Sequence, residues 1–416
     1  MYNKPNNDSV VRTLNRSAYP LLSTEPYGSL RDLYPLDRMI GNAPVVGMGE
    51  GTHGTHEFFT LKHRFFKYLV EEKGFTTFML ELNWGTGLQL NDYVLYGKGN
   101  PVEIMQQEFL RNYRLFATEE YLELIEWMRQ YNKKYPQCRQ LQFMGNDVYF
   151  PHIRIFDDIF NYVQERGHSE LVPKLRDLYD GLIPTTDFST WQRSYDARPE
   201  RERQQVQRQA EEALRLVKRL RRGADPEEAD WAEQQATVVV WIARTHATEE
   251  YWIPRDQAMA ENTIWWYRHK NSKTLISAHN AHIGHNPEDY KTQGTWLQQI
   301  LGPGYVNLGL FFYQGSFIAI DENTGDLTKF TVGPPPPENA EKVLGRVQFP
   351  NYMLDMRTVN NPARAWLNQD HQVRNILAVA TEATVEDEII EIPLRLTYDI
   401  LIMIHDTTAS HPIAPF

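Results

Sequence analysis

The sequence predicts an α/β protein with a mostly parallel sheet core flanked by helices and a large helical insertion. Two observations carry this. Six short apolar runs, rich in β-branched and aromatic residues, recur far apart along the 416 residues. Continuous apolar runs of this length suit strands buried on both faces, the habit of parallel sheets covered by helices. Between the runs lie segments whose apolar residues repeat at helical spacing.

The runs are APVVGMGE (Ala43–Glu50), FTTFMLELN (Phe75–Asn83), QLQFMGNDV (Gln140–Val148), KTLISAHN (Lys273–Asn280), YVNLGLFFYQGSFIAI (Tyr305–Ile320) and YDILIMIHD (Tyr398–Asp406). Among the helical segments, Thr55–Glu72 places Phe58, Leu61, Phe65 and Leu69 on one face, and Gly74 stands where a helix stop belongs. Glu119–Tyr131 reads similarly. A charged stretch runs from Pro199 to Arg222. Asp225 and Pro226 then supply an N-cap and a first-turn proline for a helix reaching about Ala247. Another covers Arg255–Lys270. Residues 151–270 hold no convincing strand, so the chain reads as a single α/β domain, 1–416, with 151–270 a helical insertion within it. VGPPPPENA (Val332–Ala340) reads as a polyproline-like surface connection.

Composition bounds the function. Hydrophobic residues make up 41% and aromatics 12%, as in globular proteins. No apolar run reaches the ~20 residues of a membrane-spanning helix. The polar start MYNKPNNDSV has no hydrophobic signal core, and the expected location is cytoplasmic. Cys138 is the only cysteine, which excludes an intramolecular disulfide and disfavours thiolate metal clusters. A net charge of −11 disfavours a broad nucleic-acid surface. Neither a membrane nor a nucleic acid is an expected partner.

Ionisable residues gather where the runs end. GEGTH follows the first, LELN closes the second, GND closes the third and AHNAHIGH follows the fourth. In open α/β sheets, ligands bind outside the carboxyl ends of the strands. Four strand ends that deliver Glu50, His53, Glu81, Asp147, His279 and His282 to one edge therefore predict a site. Taken singly, Glu50 also reads as a buried carboxylate accepting backbone N–H groups, and His53 as a capping or core histidine. His63 reads as surface or packing. His56 and His285 receive no role.

Several chemistries are excluded. There is no G-x-S-x-G elbow, no Walker loop and no G-x-G-x-x-G after a strand, and HEFFT lacks the second histidine of H-E-x-x-H. What remains is a pocket rich in histidine and glutamate and poor in nucleophiles. Histidine suits proton abstraction from water near neutral pH, and a carboxylate on its other ring nitrogen fixes the tautomer. Donors for an oxyanion are also required. Arg255, Met259 and Asn262 share one helix face, and Arg255 is a candidate donor; its alternative is an ion pair with Asp256 or a nearby glutamate. Trp252 belongs to an aromatic stretch, Glu249–Tyr267, suited to a large apolar ligand.

The blocks GEGTHGTHEFF, HRFFKYLVEEKGF, LELN, RDQAMAEN and SAHNAHIGH stand in the order and approximate spacing of the erythromycin esterase family. The resemblance spans about Val45 to Asp406. It implies an α/β core with helical additions, no cofactor, and hydrolysis of a macrolide lactone by activated water without a metal, which inactivates the antibiotic. By matching motifs it implies a general-base role for His53 beside Glu50, and catalytic roles for Glu81, His279 and Arg255. Asp256, Asn262 and His282 fall in the same blocks. With Asp147, Met259 and Trp252, the residues Asn262 and His282 are the candidate substrate-binding set. The expected partner is a small-molecule macrolide, with the chain a monomer or weak homo-oligomer.

Two other readings stay open. His53, His56, His279, His282, Glu50 and Glu81 would suit zinc or manganese in a metal-dependent hydrolase of another ester. A non-catalytic protein that holds haem or another small ligand is the third.

Overall fold

The computed structural model describes residues 7–186, 188–286 and 291–413. The first six residues of the polar N-terminal stretch lie outside these. The strands are β1 (Tyr19–Pro20), β2 (Val45–Met48), β3 (Phe75–Asn83), β4 (Gln142–Asp147), β5 (Lys273–Ser277), β6 (Tyr305–Asp321), β7 (Leu327–Val332), β8 (Tyr352–Asp355), β9 (Asp370–Arg374), β10 (Val379–Ala380), β11 (Ile389–Pro393) and β12 (Ile400–Thr407). Ten of them form one sheet in the order β1-β8-β12-β6-β2-β5-β3-β4, with β7 and β10 against β6; β9 and β11 make a separate pair.

The sheet is mostly parallel, as its apolar runs predict. β2 pairs parallel with β5 and β6, β3 with β5, and β12 with β6. All nine residues of β3 are buried, so both faces of that strand are covered. The antiparallel pairs are β8 with β12, β1 with β8 and β7 with β6. β6 is long enough to serve two neighbourhoods. Tyr305–Leu308 lies against β2, while Gly315–Ile320 has left that pairing and forms a hairpin with β7.

The chain divides into two compact units. One holds Met1–Glu81, Leu90–Phe143 and Trp266–Phe416; the other holds Leu82–Gln89 and Met144–Trp265. In the first, the helix His56–Lys73 follows β2 and ends on Gly74, whose left-handed φ of 70° suits glycine. The segment after β12 returns to the start of that helix. The Ser410 N–H donates to the Gly54 carbonyl (2.9 Å), and the His56 N–H donates to the Thr408 carbonyl (3.0 Å). It then meets the helix Glu119–Lys134, whose Glu119 N–H donates to the His411 carbonyl (2.8 Å).

Between β4 and β5 the described residues form helices and no strand. The longest are Glu200–Arg219, Pro226–Thr245 and Trp252–Lys270. The Asp225 carboxylate accepts the N–H groups of Glu227 (2.9 Å) and Glu228 (3.2 Å), the cap its sequence signals. Helix Glu200–Arg219 packs along Pro226–Thr245. No described helix is long and apolar enough to cross a membrane.

His63 is packing rather than surface. It is buried on the helix His56–Lys73, its ring lies 5.4 Å from that of Trp127, and neither ring nitrogen has a hydrogen-bond partner. Burial pushes its pKa down to about 3. The unfolded chain therefore takes a proton on this ring near pH 6.5, the folded chain only near 3, and stability falls as pH drops through that window. At pH 5 the loss from this ring is about 2 kcal/mol, at ~1.4 kcal/mol per pH unit. Urea unfolding at pH 7 and pH 5 should show His63→Met losing less stability than the wild type by about that amount. An identical loss in both would contradict it.

Candidate active site

Strand register builds the site in the first unit. Met48 of β2 lies opposite Ser277 of β5, and Ser277 opposite Leu80 of β3. One step further along β3 stands Glu81, and two steps beyond Met48 and Ser277 stand Glu50 and His279. The chain ends are tied together at that level. The Asn280 N–H donates to the Glu50 carbonyl (2.9 Å), and the His279 N–H donates to Glu81 Oε2 (2.9 Å). Gly49 permits the approach, because a Cβ there would lie 2.0 Å from Asn280 Oδ1.

Glu50 is fully buried between His53 and Lys62. Its Oε1 accepts from His53 Nδ1 (2.8 Å), and its Oε2 accepts from Lys62 Nζ. Burial alone would raise the Glu50 carboxyl, but the Lys62 ammonium and the His53 ring outweigh it and hold the carboxyl below its usual range. Burial in turn pulls Lys62 down against the opposing pull of Glu50 and Glu81. An ionised carboxylate only accepts, so His53 Nδ1 carries a hydrogen and Nε2 is the ring nitrogen left to act as a base. The ring is held edge-on to Phe116, with centroids 5.4 Å apart, and tilted against His279 at 4.9 Å.

His279 is locked by backbone. Its Nε2 donates to the Ile376 carbonyl (3.2 Å), and its Nδ1 accepts the Ala281 N–H (3.2 Å), capping the short helix Asn280–Ile283. Burial, and then the neighbouring His53, push its pKa down to about 3, so the ring stays neutral. Glu81 Oε1 meets His282 Nε2 at 3.2 Å while Oε2 serves the His279 amide. One buried carboxylate thus fixes two residues of the AHNAH turn.

The second unit holds the other predicted residues. The buried carboxylate of Asp147, at the end of β4, grips the Arg255 guanidinium through Nε (3.0 and 3.1 Å) and Nη2. Asp147 is thus an ion-pair partner of Arg255 that the sequence did not suggest. Asn262 is buried; its Oδ1 accepts from Gln234 Nε2 (2.8 Å) and its Nδ2 donates to the Asn146 carbonyl (2.9 Å). Met259 is fully buried one turn away. Trp252 and Tyr251 are exposed, their rings edge to face at 5.5 Å.

Sequence reasoning missed Lys62 and Asn280. Lys62 stands four residues after Phe58 and three before Phe65, on the buried stripe of its helix; a lysine in that place was the legible signal. Asn280 joins three segments: besides Glu50, its side chain donates to the Leu310 carbonyl (2.7 Å) and accepts the Leu310 N–H (3.1 Å). His285 lines a 670 Å³ cavity with Asn280, Asp370, Asn375 and Leu396 among others, and none of the charged residues above takes part in it.

The erythromycin esterase family model matches residues 70–407, a range that includes Glu81, Asp147, Arg255 and His279 and begins after His53. The chain is similar to erythromycin esterase type II of Escherichia coli, with 25% identity over 83% of this chain and 90% of that protein. It is also 22% identical to the putative hydrolase YbfO of Bacillus subtilis over 85% of this chain and 83% of that one. A crystal structure of a Bacillus cereus protein superposes with a TM-score of 0.88 at 30% identity, covering 99% of this chain and all of the other. A mutant erythromycin esterase in its open conformation shares the fold with a TM-score of 0.70 at 15% identity, covering 95% of this chain and 98% of that one. With the family model spanning most of its length, the chain belongs to the erythromycin esterase family.

Proposed function

We propose that this protein hydrolyses the lactone ester of an erythromycin-like macrolide, and so inactivates the antibiotic, with a water activated by His53. The observation that carries the reading is the buried Lys62–Glu50–His53 chain. A carboxylate kept ionised by an ammonium holds one imidazole nitrogen protonated and leaves the other to take a proton from water. Neutral His279, 4.9 Å from the His53 ring, adds no competing positive charge when His53 becomes protonated. Glu81 orients His282 and the turn that carries His279.

Arg255 is the proposed partner for the negative charge that develops on the lactone oxygen, oriented by Asp147. His279 can add a donor only by giving up its Nε2 hydrogen bond to the Ile376 carbonyl. In this reading Asn262 and Met259 brace the Arg255 helix from its buried face, and Trp252 offers apolar contact to a large substrate. Arg255→Ala should lower kcat more than it raises KM, because the interaction strengthens mainly in the transition state. Arg255→Lys should recover little, since a point charge does not reproduce the fork. Steady-state kinetics check both; a raised KM at unchanged kcat would make Arg255 a binding group.

The metal-dependent reading has less support in the donor geometry. Glu50 and Glu81 are each engaged by two partners, and neither belongs to a described group of three ligand atoms within 4.8 Å of one another. Lactone hydrolysis measured after dialysis against a chelator tests the two. The assay is run also on a His411→Ala variant, so that a metal held away from His53 does not count. Unchanged kcat fits the His53-activated water, whereas loss that added zinc or manganese restores in that variant too would replace it with a metal-bound water.

A further inference from the structure

One side-chain cluster plays no part in the chemistry above. His56 Nδ1 lies 2.6 Å from Glu120 Oε1, and His411 Nδ1 lies 2.8 Å from the same oxygen. These three residues are the one group among those described that offers three ligand atoms all within 4.8 Å of one another. They come from three separate places: the start of the helix after the GEGTH loop, the start of the helix Glu119–Lys134, and the C-terminal segment.

We propose that His56, Glu120 and His411 bind one zinc ion, which clips the C-terminal segment onto the loop that carries His53. Four features support this. Two imidazole nitrogens and one carboxylate oxygen suit zinc, whereas calcium and magnesium prefer all-oxygen sets. The two rings stand at 80° with centroids 5.2 Å apart, so their in-plane lone pairs approach the carboxylate from different directions instead of stacking. The second nitrogen of His56 faces Glu25 Oε1 at 3.2 Å, the outer carboxylate that orients a metal-bound histidine. Glu120 is itself fixed, because both its oxygens receive the His411 N–H (3.2 and 3.3 Å).

Burial grades outward as a three-ligand site requires. The Glu120 side chain is 3% exposed, that of His56 22% and that of His411 60%, leaving the outer side to a water as fourth ligand. Zinc bonds of roughly 2.0–2.2 Å in a tetrahedron set ligand atoms roughly 3.3 Å apart. The present contacts of 2.6 and 2.8 Å must therefore widen by roughly 0.5–0.7 Å, the exposed His411 ring by turning outward and the part-buried His56 ring by shifting away from Glu120. The ion would take the place of the hydrogen bond between His56 and Glu120. It would also join residues that are 64 and 291 positions apart in the chain, holding the final segment against Gly54 and Ala117.

The test is zinc uptake by the purified full chain at neutral pH, read by native mass spectrometry and by competition with a chromogenic chelator. Wild type should take up one zinc per chain and melt at a higher temperature with it. His411→Ala, an exposed change that leaves the folded core alone, should lose the stoichiometric zinc and the thermal shift, and Glu120→Gln should do the same. Glu25→Gln should weaken uptake by ~10- to 100-fold. His405→Ala, a histidine outside the cluster, should bind as wild type does. No stoichiometric uptake by folded wild type, or uptake that His411→Ala leaves intact, would overturn the proposal. Uptake is read directly, so the result stands apart from whether the protein opens a macrolide.

Discussion

Replacing His53 with alanine should lower the rate of lactone hydrolysis by ~100- to 10,000-fold, the usual contribution of a general base, while the protein stays folded. His53 sits three residues beyond Glu50, with Nδ1 committed to that carboxylate and Nε2 left as its basic nitrogen. Alanine removes the group so prepared and leaves Glu50 with Lys62 still in place, so the buried carboxylate keeps its ammonium partner. His53→Asn is the closer probe of chemistry, because its amide can still donate to Glu50. Both variants should keep the wild-type circular dichroism and melting profile to within a few degrees. Near-wild-type kcat in a folded His53→Ala protein would remove the general-base assignment.

Lys62 should show the largest stability effect. Its side chain and that of Glu50 are both fully buried, and each is the other's main counter-charge. Lys62→Met strands an ionised carboxylate in the interior, which typically destabilises by about 3–5 kcal/mol. The same change lets burial raise the Glu50 carboxyl, so Glu50 loses its hold on His53 and kcat falls as well. Removing both charges in Lys62→Met with Glu50→Gln should restore much of the stability and none of the activity. Urea unfolding of the two single variants and the double variant closes the cycle. Strictly additive losses would mean that the two side chains do not act as a pair.

Much of the fold was legible because its signals are local. The six apolar runs became β2, β3, β4, β5, β6 and β12, each within a few residues of the expected bounds, since an uninterrupted apolar run has few other places to go. The shorter strands were not legible: β8 has four residues, and β7 alternates between buried and exposed positions in a hairpin that only its partner β6 defines. At the site, the residue types at the strand ends pointed to Glu50, His53, Glu81 and His279. Their pairing did not. His53 with Glu50 is a contact within one loop, but that Glu81 takes His282 and the His279 amide depends on the register of β3 and β5, which no stretch of sequence encodes by itself. Lys62 was overlooked because lysine on a helix ordinarily reads as solvated surface. Its place on the Phe58–Leu61–Phe65 stripe was the available clue, and the 56–120–411 cluster had none, its members being scattered along the chain.

The most direct measurement is mass spectrometry of a macrolide panel incubated with the purified protein in heavy-oxygen water, alongside His53→Asn. The expected result is at least one macrolide that gains one molecule of labelled water with wild type, as an opened lactone does, and stays intact with the variant. A folded wild-type protein that leaves every macrolide unchanged, or a His53→Asn protein that opens the ring as fast as wild type, would contradict the assignment of this chain as a His53-dependent macrolide esterase.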